Sequence, residues 1–330
     1  MKNGSARFSY YINQLQDLMA KAANQKNPGL WLYQNNARTP LFMLEGLSKL
    51  YAGMHNKKKF SKIKEQVKLL EDTIGAIDYY DAFAKQFVAT KSIPATVTSY
   101  LQAQAREKTQ SLNEILAEKE WLGEKSKRLN KISKKLKEAD WLDAKDEIKA
   151  MKKFYEKSIA EIIAFATAEN FHFDNVEADV HELRRKLRWL SIYPQALQGC
   201  IQLVKTKPEA KHLAKYLTKE IVSSPYNKLP DANSNTCFLL LDKNRFLSLS
   251  WVIAELGKLK DSGLAIVAVK EALEQTSGLH EKEAATKACK LTGNKADSLK
   301  TILQKADAIC SVFFKEQNLQ KLITGSATAN

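Results

Sequence analysis

The sequence predicts an all-α protein, and three observations carry that expectation. Glycine and proline are scarce, at 12 and 7 among 330 residues, and Leu, Ala, Lys, Glu and Gln dominate. Those residues give up little freedom on entering a helix. Apolar side chains recur at helical spacing along most of the chain. The pattern also echoes itself between the two halves, as a duplicated helical bundle would. An apolar content of 44% allows a substantial core, and the length suits one large domain or two medium ones.

The first helix is expected over 5–26, where Phe8, Tyr11, Ile12, Leu15, Leu18 and Met19 share a face. Asn27, Pro28 and Gly29 stop it. Helical spacing resumes through LWLYQNNARTPLFMLEGLSKLY, where Pro40 restarts the helix with Thr39 as cap. A loop at 55–59 precedes a long amphipathic helix beginning at Ser61, and Pro94 opens another over about 93–121. The stretch 124–137 sets Leu129, Ile132 and Leu136 against Lys127, Lys131, Lys134 and Lys135. A helix over 141–170 carries Ile148, Met151, Tyr155, Ile159 and Ile162, and 170–175 breaks it. DVHELRRKLRWL then opens a helix expected to run, bent near Pro194, to Lys205. One segment departs from this pattern. NTCFLLLDKNRFLSLS has two apolar runs about Asp242 to Arg245, which reads as a small β-hairpin near 237–249. Helices over 251–275, 279–291 and 296–323 and a frayed tail complete the chain.

The echo has two landmarks in each half. NNAR, ending at Arg38, opens one long helix, and VHELR, ending at Arg184, opens another 146 residues later. Downstream of each lies a mid-helix glycine, Gly75 in LEDTIGAIDYYD and Gly257 in VIAELGKLKDSG. Glycine inside a helix costs about 1 kcal/mol relative to alanine, so close approach is expected at both. The glycines are 182 residues apart, so the second half holds 36 extra residues. An insertion over about 206–250, with the KLPDANSN loop and the hairpin, accounts for them. The halves are then 1–146 and 147–330.

The net charge of +15 points to an anionic partner and says nothing about fold. At 100° per residue, His181, Arg184, Arg185 and Arg188 fall within about 100° of one another, apart from Val180, Leu183, Leu187 and Leu190. Arginine forks suit phosphate, and three on one face repel one another unless an anion or carboxylates from other helices compensate. The competing interpretation is a solvated basic face. In the first half Arg38 and Lys49 share a face with Glu45. Lys127, Lys131 and Lys134 could extend a polyanion track or form a solvated stripe. Cys200, Cys237, Cys289 and Cys310 have no metal spacing and read as reduced, mostly buried side chains. No P-loop, dinucleotide fingerprint, GxSxG or HExxH occurs, so neither an enzyme nor a cofactor is expected. The opening MKNGSARFSYYINQLQ has no apolar signal core, and the uncharged stretch 189–204 contains Pro194 and three glutamines. A cytoplasmic protein without a membrane partner is the expectation.

His181-x-x-Arg184 with Arg188, a long helix, and then LGKLKD at 256–261 resembles the CHAD family of helical domains. That resemblance implies two bundles of long antiparallel helices about a pseudo-twofold axis. It also implies a basic channel between them that binds inorganic polyphosphate without catalysis. The second half fits better, although Trp189 and Ser191 stand where Arg is typical. In the first half Asn35 stands in the histidine's place, Phe42, Met43 and Glu45 replace basic residues, and Asp78 stands where Arg is usual. The expected ligand is polyphosphate or a similar linear polyanion. A nucleic acid on the same surface, or a scaffold whose anion site has decayed, are the alternatives.

Overall fold

The computed structural model describes residues 3–123, 126–168, 170–208, 210–232, 234–293 and 298–328. Among these, the chain is all-α with one three-stranded sheet. The first half holds α1 (Asn3–Ala23), α2 (Pro28–Gln34), α3 (Arg38–Met54), α4 (Lys57–Val88), α5 (Ala95–Glu118) and α6 (Lys127–Lys137). The second holds α7 (Ala144–Thr167), a π-helical turn (Val176–His181), α8 (Glu182–Ala196), β1 (Ile201–Val204) and short α9 (Lys219–Ser223). Then come β2 (Cys237–Asp242), α10 (Lys243–Ser277), α11 (Glu281–Leu291), α12 (Ser298–Lys315) and β3 (Ile323–Thr328).

Short polar side chains set the helix starts by accepting first-turn amides that have no helical partner. Asn27 accepts from Leu30 at 3.1 Å, Asn56 from Lys59 at 2.9 Å, and Asp143 from Asp146 at 2.9 Å. Pro28 thus opens α2 in the turn that ends α1. The restart expected at Pro40 falls slightly earlier. Asn36 takes a left-handed backbone (φ 57°), α3 begins at Arg38, and Thr39 lies inside it.

The sheet corrects the hairpin reading. DKNR is a helix start, since Asp242 accepts from the Arg245 amide at 2.8 Å and α10 runs on from Lys243. The partners of β2 come from elsewhere: β1 lies parallel (Ile201↔Leu239) and β3 antiparallel (Leu239↔Ser326). Residues 324–328, expected to fray, are therefore hydrogen-bonded strand, joined by Ile323 from the expected last helix. Helix α8 stops at Ala196, short of Lys205, because Gln198 and Gly199 turn the chain with positive φ into β1.

Two buried clusters divide α4 and α10 crosswise. The larger joins α1, α3, α7, α8 and the sheet to Phe60–Ile77 of α4 and Phe246–Leu256 of α10. The smaller joins Ala84 and Phe87 of α4 to 265–273 of α10, with parts of α5 and α11. Gly75 and Gly257 each sit beside the changeover. A buried polar knot ties the larger cluster across the halves. Arg7, 3% exposed, donates to Glu147 at 2.8 Å, to the Tyr51 hydroxyl at 2.9 Å and to Asn235 at 3.1 Å. Tyr51 donates to the other Glu147 oxygen at 2.5 Å. All four cysteines are free, and Cys237 alone of them is only half-buried. Among the described residues, no helix is long and apolar enough to cross a membrane.

Candidate functional site

A cleft of about 1700 Å³ opens where the starts of α3 and α8 face the middles of α4 and α10. Arg38, His181, Arg184 and Arg188 line it. The echo in the sequence becomes geometry here. The Arg38 guanidinium lies over Gly75, and a Cβ there would stand 2.8 Å from its Nη2. The Arg184 guanidinium lies over Gly257, and a Cβ there would stand 3.0 Å from its Nε. Each glycine is thus the seat of an arginine, which explains why both helices tolerate the propensity cost. In both seats Nε donates to the residue four before the glycine: Arg38 to the Glu71 carboxylate at 2.8 Å, Arg184 to the Ile253 carbonyl at 3.1 Å. Arg38 also reaches Asp78 at 3.0 Å.

Arg188 sits with its guanidinium carbon 4.7 Å from the centre of the Phe42 ring, and that ring stacks on Trp189 at 4.7 Å. Phe42 and Arg188 are counterparts at the same offset of 146. A pseudo-twofold axis would bring such counterparts together. Phe42, read as the loss of a basic residue, is the platform for a basic residue of the other half.

The charge pattern of the cleft is selective. Its carboxylates all have partners: Glu71 and Asp78 hold Arg38, Asp72 holds Lys68 at 2.5 Å, and Asp261 holds Lys260 at 2.7 Å. Glu177 meets His181 at 2.8 Å, which keeps its carboxyl below the usual range, and Glu271 accepts from Tyr80 at 3.0 Å and Tyr100 at 2.9 Å. Arg184 and Arg188 differ. Among the described residues neither has a carboxylate within ion-pair distance. Burial pushes the Arg188 guanidinium below its ordinary pKa, and the charges of Arg184 and Arg38 push it further. Burial lowers Arg184 too, opposed by Asp261. Arginine keeps its proton, so these directions mark two guanidiniums held partly out of water, with Arg188 also crowded by like charge.

Other predicted residues lie elsewhere. Arg185 turns away from the cleft and pairs with Glu182 at 2.6 Å. Lys127 and Lys131 share Glu120, at 2.5 and 3.4 Å, and Lys134 is exposed on α6, so the lysine stripe is a solvated face outside the cleft. Lys49 also lies outside it, 5.0 Å from the centre of the Trp189 ring. Burial lowers its ammonium to about 8, helped by Lys186 and opposed by Glu45. Between pH 8 and its ordinary 10.5 the unfolded chain binds the extra proton, so this group makes the fold more stable as pH rises through that window. Urea melts of wild type and Lys49→Met across pH 8–10 should show the wild type gaining on the variant. A constant difference would contradict the shift. The sequence reading missed the 221–227 segment, whose Tyr226 and Asn227 line the mouth. Gln195 holds it through the Tyr226 and Lys228 carbonyls, at 3.2 and 2.9 Å. Nothing in its local pattern announces that role.

Compared with family models, curated proteins and solved structures, the chain gives no match.

Proposed function

We propose that the chain is a divergent CHAD-like protein of the cytoplasm. Its halves, 1–146 and 147–330, enclose a cleft that binds inorganic polyphosphate or a comparable phosphate-bearing anion without catalysing a reaction on it. The observation that carries this reading is the pairing pattern. Each carboxylate lining the cleft has a partner, while Arg184 and Arg188 face it with no carboxylate in ion-pair contact among the described residues. A phosphate oxygen pair suits two neighbouring guanidinium forks. The contact is short, because Glu177, Asp261 and Glu271 flank it and would repel a long anionic track.

Polyphosphate affinity measured against salt tests this. Each phosphate neutralised releases counterions, with a slope of about −0.7 per contact on a single strand. Two or three contacts give roughly −1.5 to −2. A slope near zero, or one that an Arg184→Ala/Arg188→Ala protein shares with wild type, would overturn the reading. Gly257→Ala separates the seat from the fold. The new methyl pushes the Arg184 guanidinium aside by a few tenths of an ångström, straining its bond to the Ile253 carbonyl, while the helix gains up to about 1 kcal/mol. The melting temperature should hold or rise, and affinity should fall about tenfold, the worth of one charge-assisted contact. Unchanged affinity would mean that the glycine does not set the position of Arg184.

A further inference from the structure

The cleft extends well past the arginines, and its far part is made of different material. Beyond Asp78 and Tyr79 the wall formed by α4 continues to Phe83, Gln86 and Phe87, and beyond Lys260, Asp261 and Ser262 the wall formed by α10 continues to Leu264 and Val267. At 1.5 Å per residue, those side chains begin about 10–12 Å from the arginine seats and extend to about 15–18 Å. Phe83 and Phe87 stack at 5.6 Å. Phe83 is half-buried against the smaller core cluster, and Val267 is 38% exposed within the cleft. The one carboxylate at this end, Glu271, already accepts from two tyrosine hydroxyls, on α4 and α5.

A chain of phosphates long enough to fill this space would lay charge on phenylalanine, leucine and valine and bring it up to Glu271. A molecule charged at one end only places no charge on that far part. Resting on the anion site proposed above, we infer that the cleft takes an amphiphilic phosphate. Its headgroup lies at Arg184 and Arg188, and an apolar tail of about 15 Å passes the paired Asp78 and Asp261 and ends against Phe83, Leu264 and Val267. The near end supplies charge and orientation, and the far end supplies burial of the tail, worth most of the discrimination.

Calorimetric titration with dodecyl phosphate, kept below micelle-forming concentration, and with methyl phosphate tests the inference. Dodecyl phosphate should bind at least roughly 30-fold more tightly, the gain expected from burying only a few methylenes. Val267→Asp should remove most of that advantage and leave methyl phosphate unaffected. Val267→Ser, a milder change, should remove part of it if the aspartate variant does not fold. Arg184→Ala/Arg188→Ala should weaken both ligands. Equal affinities for the two ligands would overturn the amphiphile and leave the anion site standing. Dodecyl phosphate binding that survives loss of both arginines would be nonspecific adsorption and would also overturn it. If neither these probes nor polyphosphate bound, the anion reading would fall, and this inference with it.

Discussion

Glu147→Ala will cost the fold about 3–5 kcal/mol, the range for removing one partner of a buried ion pair. Glu147 receives Arg7 and Tyr51 on its two oxygens, and Arg7 is 3% exposed. Without the carboxylate, a guanidinium stays in the core with only a phenol and an amide to receive its five donors. The burial penalty is then uncompensated. The knot joins α1, α3 and α7 to Asn235 in the 206–250 insertion, so the loss should be felt in both halves. Urea unfolding followed by circular dichroism would measure it. Tyr51→Phe, which removes a single hydroxyl, should cost only about 1–2 kcal/mol. Arg7→Met combined with Glu147→Leu should recover much of the loss, since an apolar replacement of both partners is often close to neutral. A Glu147→Ala protein within 1 kcal/mol of wild type would show that the knot contributes little.

The second large effect concerns binding. Arg184→Ala/Arg188→Ala should weaken phosphate-chain binding by roughly 10² to 10⁴. Two charged hydrogen-bonding groups are lost, at about 1.5–3 kcal/mol each. Folding should change little in the same protein. Arg188 suffers from the nearby charges of Arg184 and Arg38, so their removal relieves repulsion while sacrificing the Phe42 contact. Arg185→Ala should leave affinity within about twofold, because that side chain is engaged with Glu182 and points elsewhere. Binding weakened equally by Arg185→Ala would locate the anion on the outer face of α8 and refute the cleft.

The helices were legible because their apolar spacing is strong and their caps are local. The sheet was not, because its partners are distant. Ile201 pairs with Leu239 and Leu239 with Ser326, and no local pattern announces such pairing. DKNR looked like a turn because short apolar runs fit strand or helix equally. What decides is Asp242 capping α10, which then runs unbroken to Ser277. At the site, the spacing of Arg38 and Gly75 against Arg184 and Gly257 revealed a shared device. Glu71 and Asp78 could be read as ion-pair partners of an arginine face, but which arginine they hold could not, because they stand on another helix. The wheel of 100° per residue also grouped Arg185 with the cleft arginines. All three arginines lie in α8, but Arg185 stands at the edge of that sector, 100° from Arg184, and Glu182 one turn earlier takes its guanidinium.

The two arginine seats share one geometry and differ in charge. Arg38 is clasped by Glu71 and Asp78, whereas Arg184 gives one donor to a backbone carbonyl and keeps the rest for the cleft. A cleft with two equal seats would accept an elongated guest pointing either way. With one seat closed, the cavity has a head and a foot, so an elongated anion bound at the proposed site should lie in one direction only.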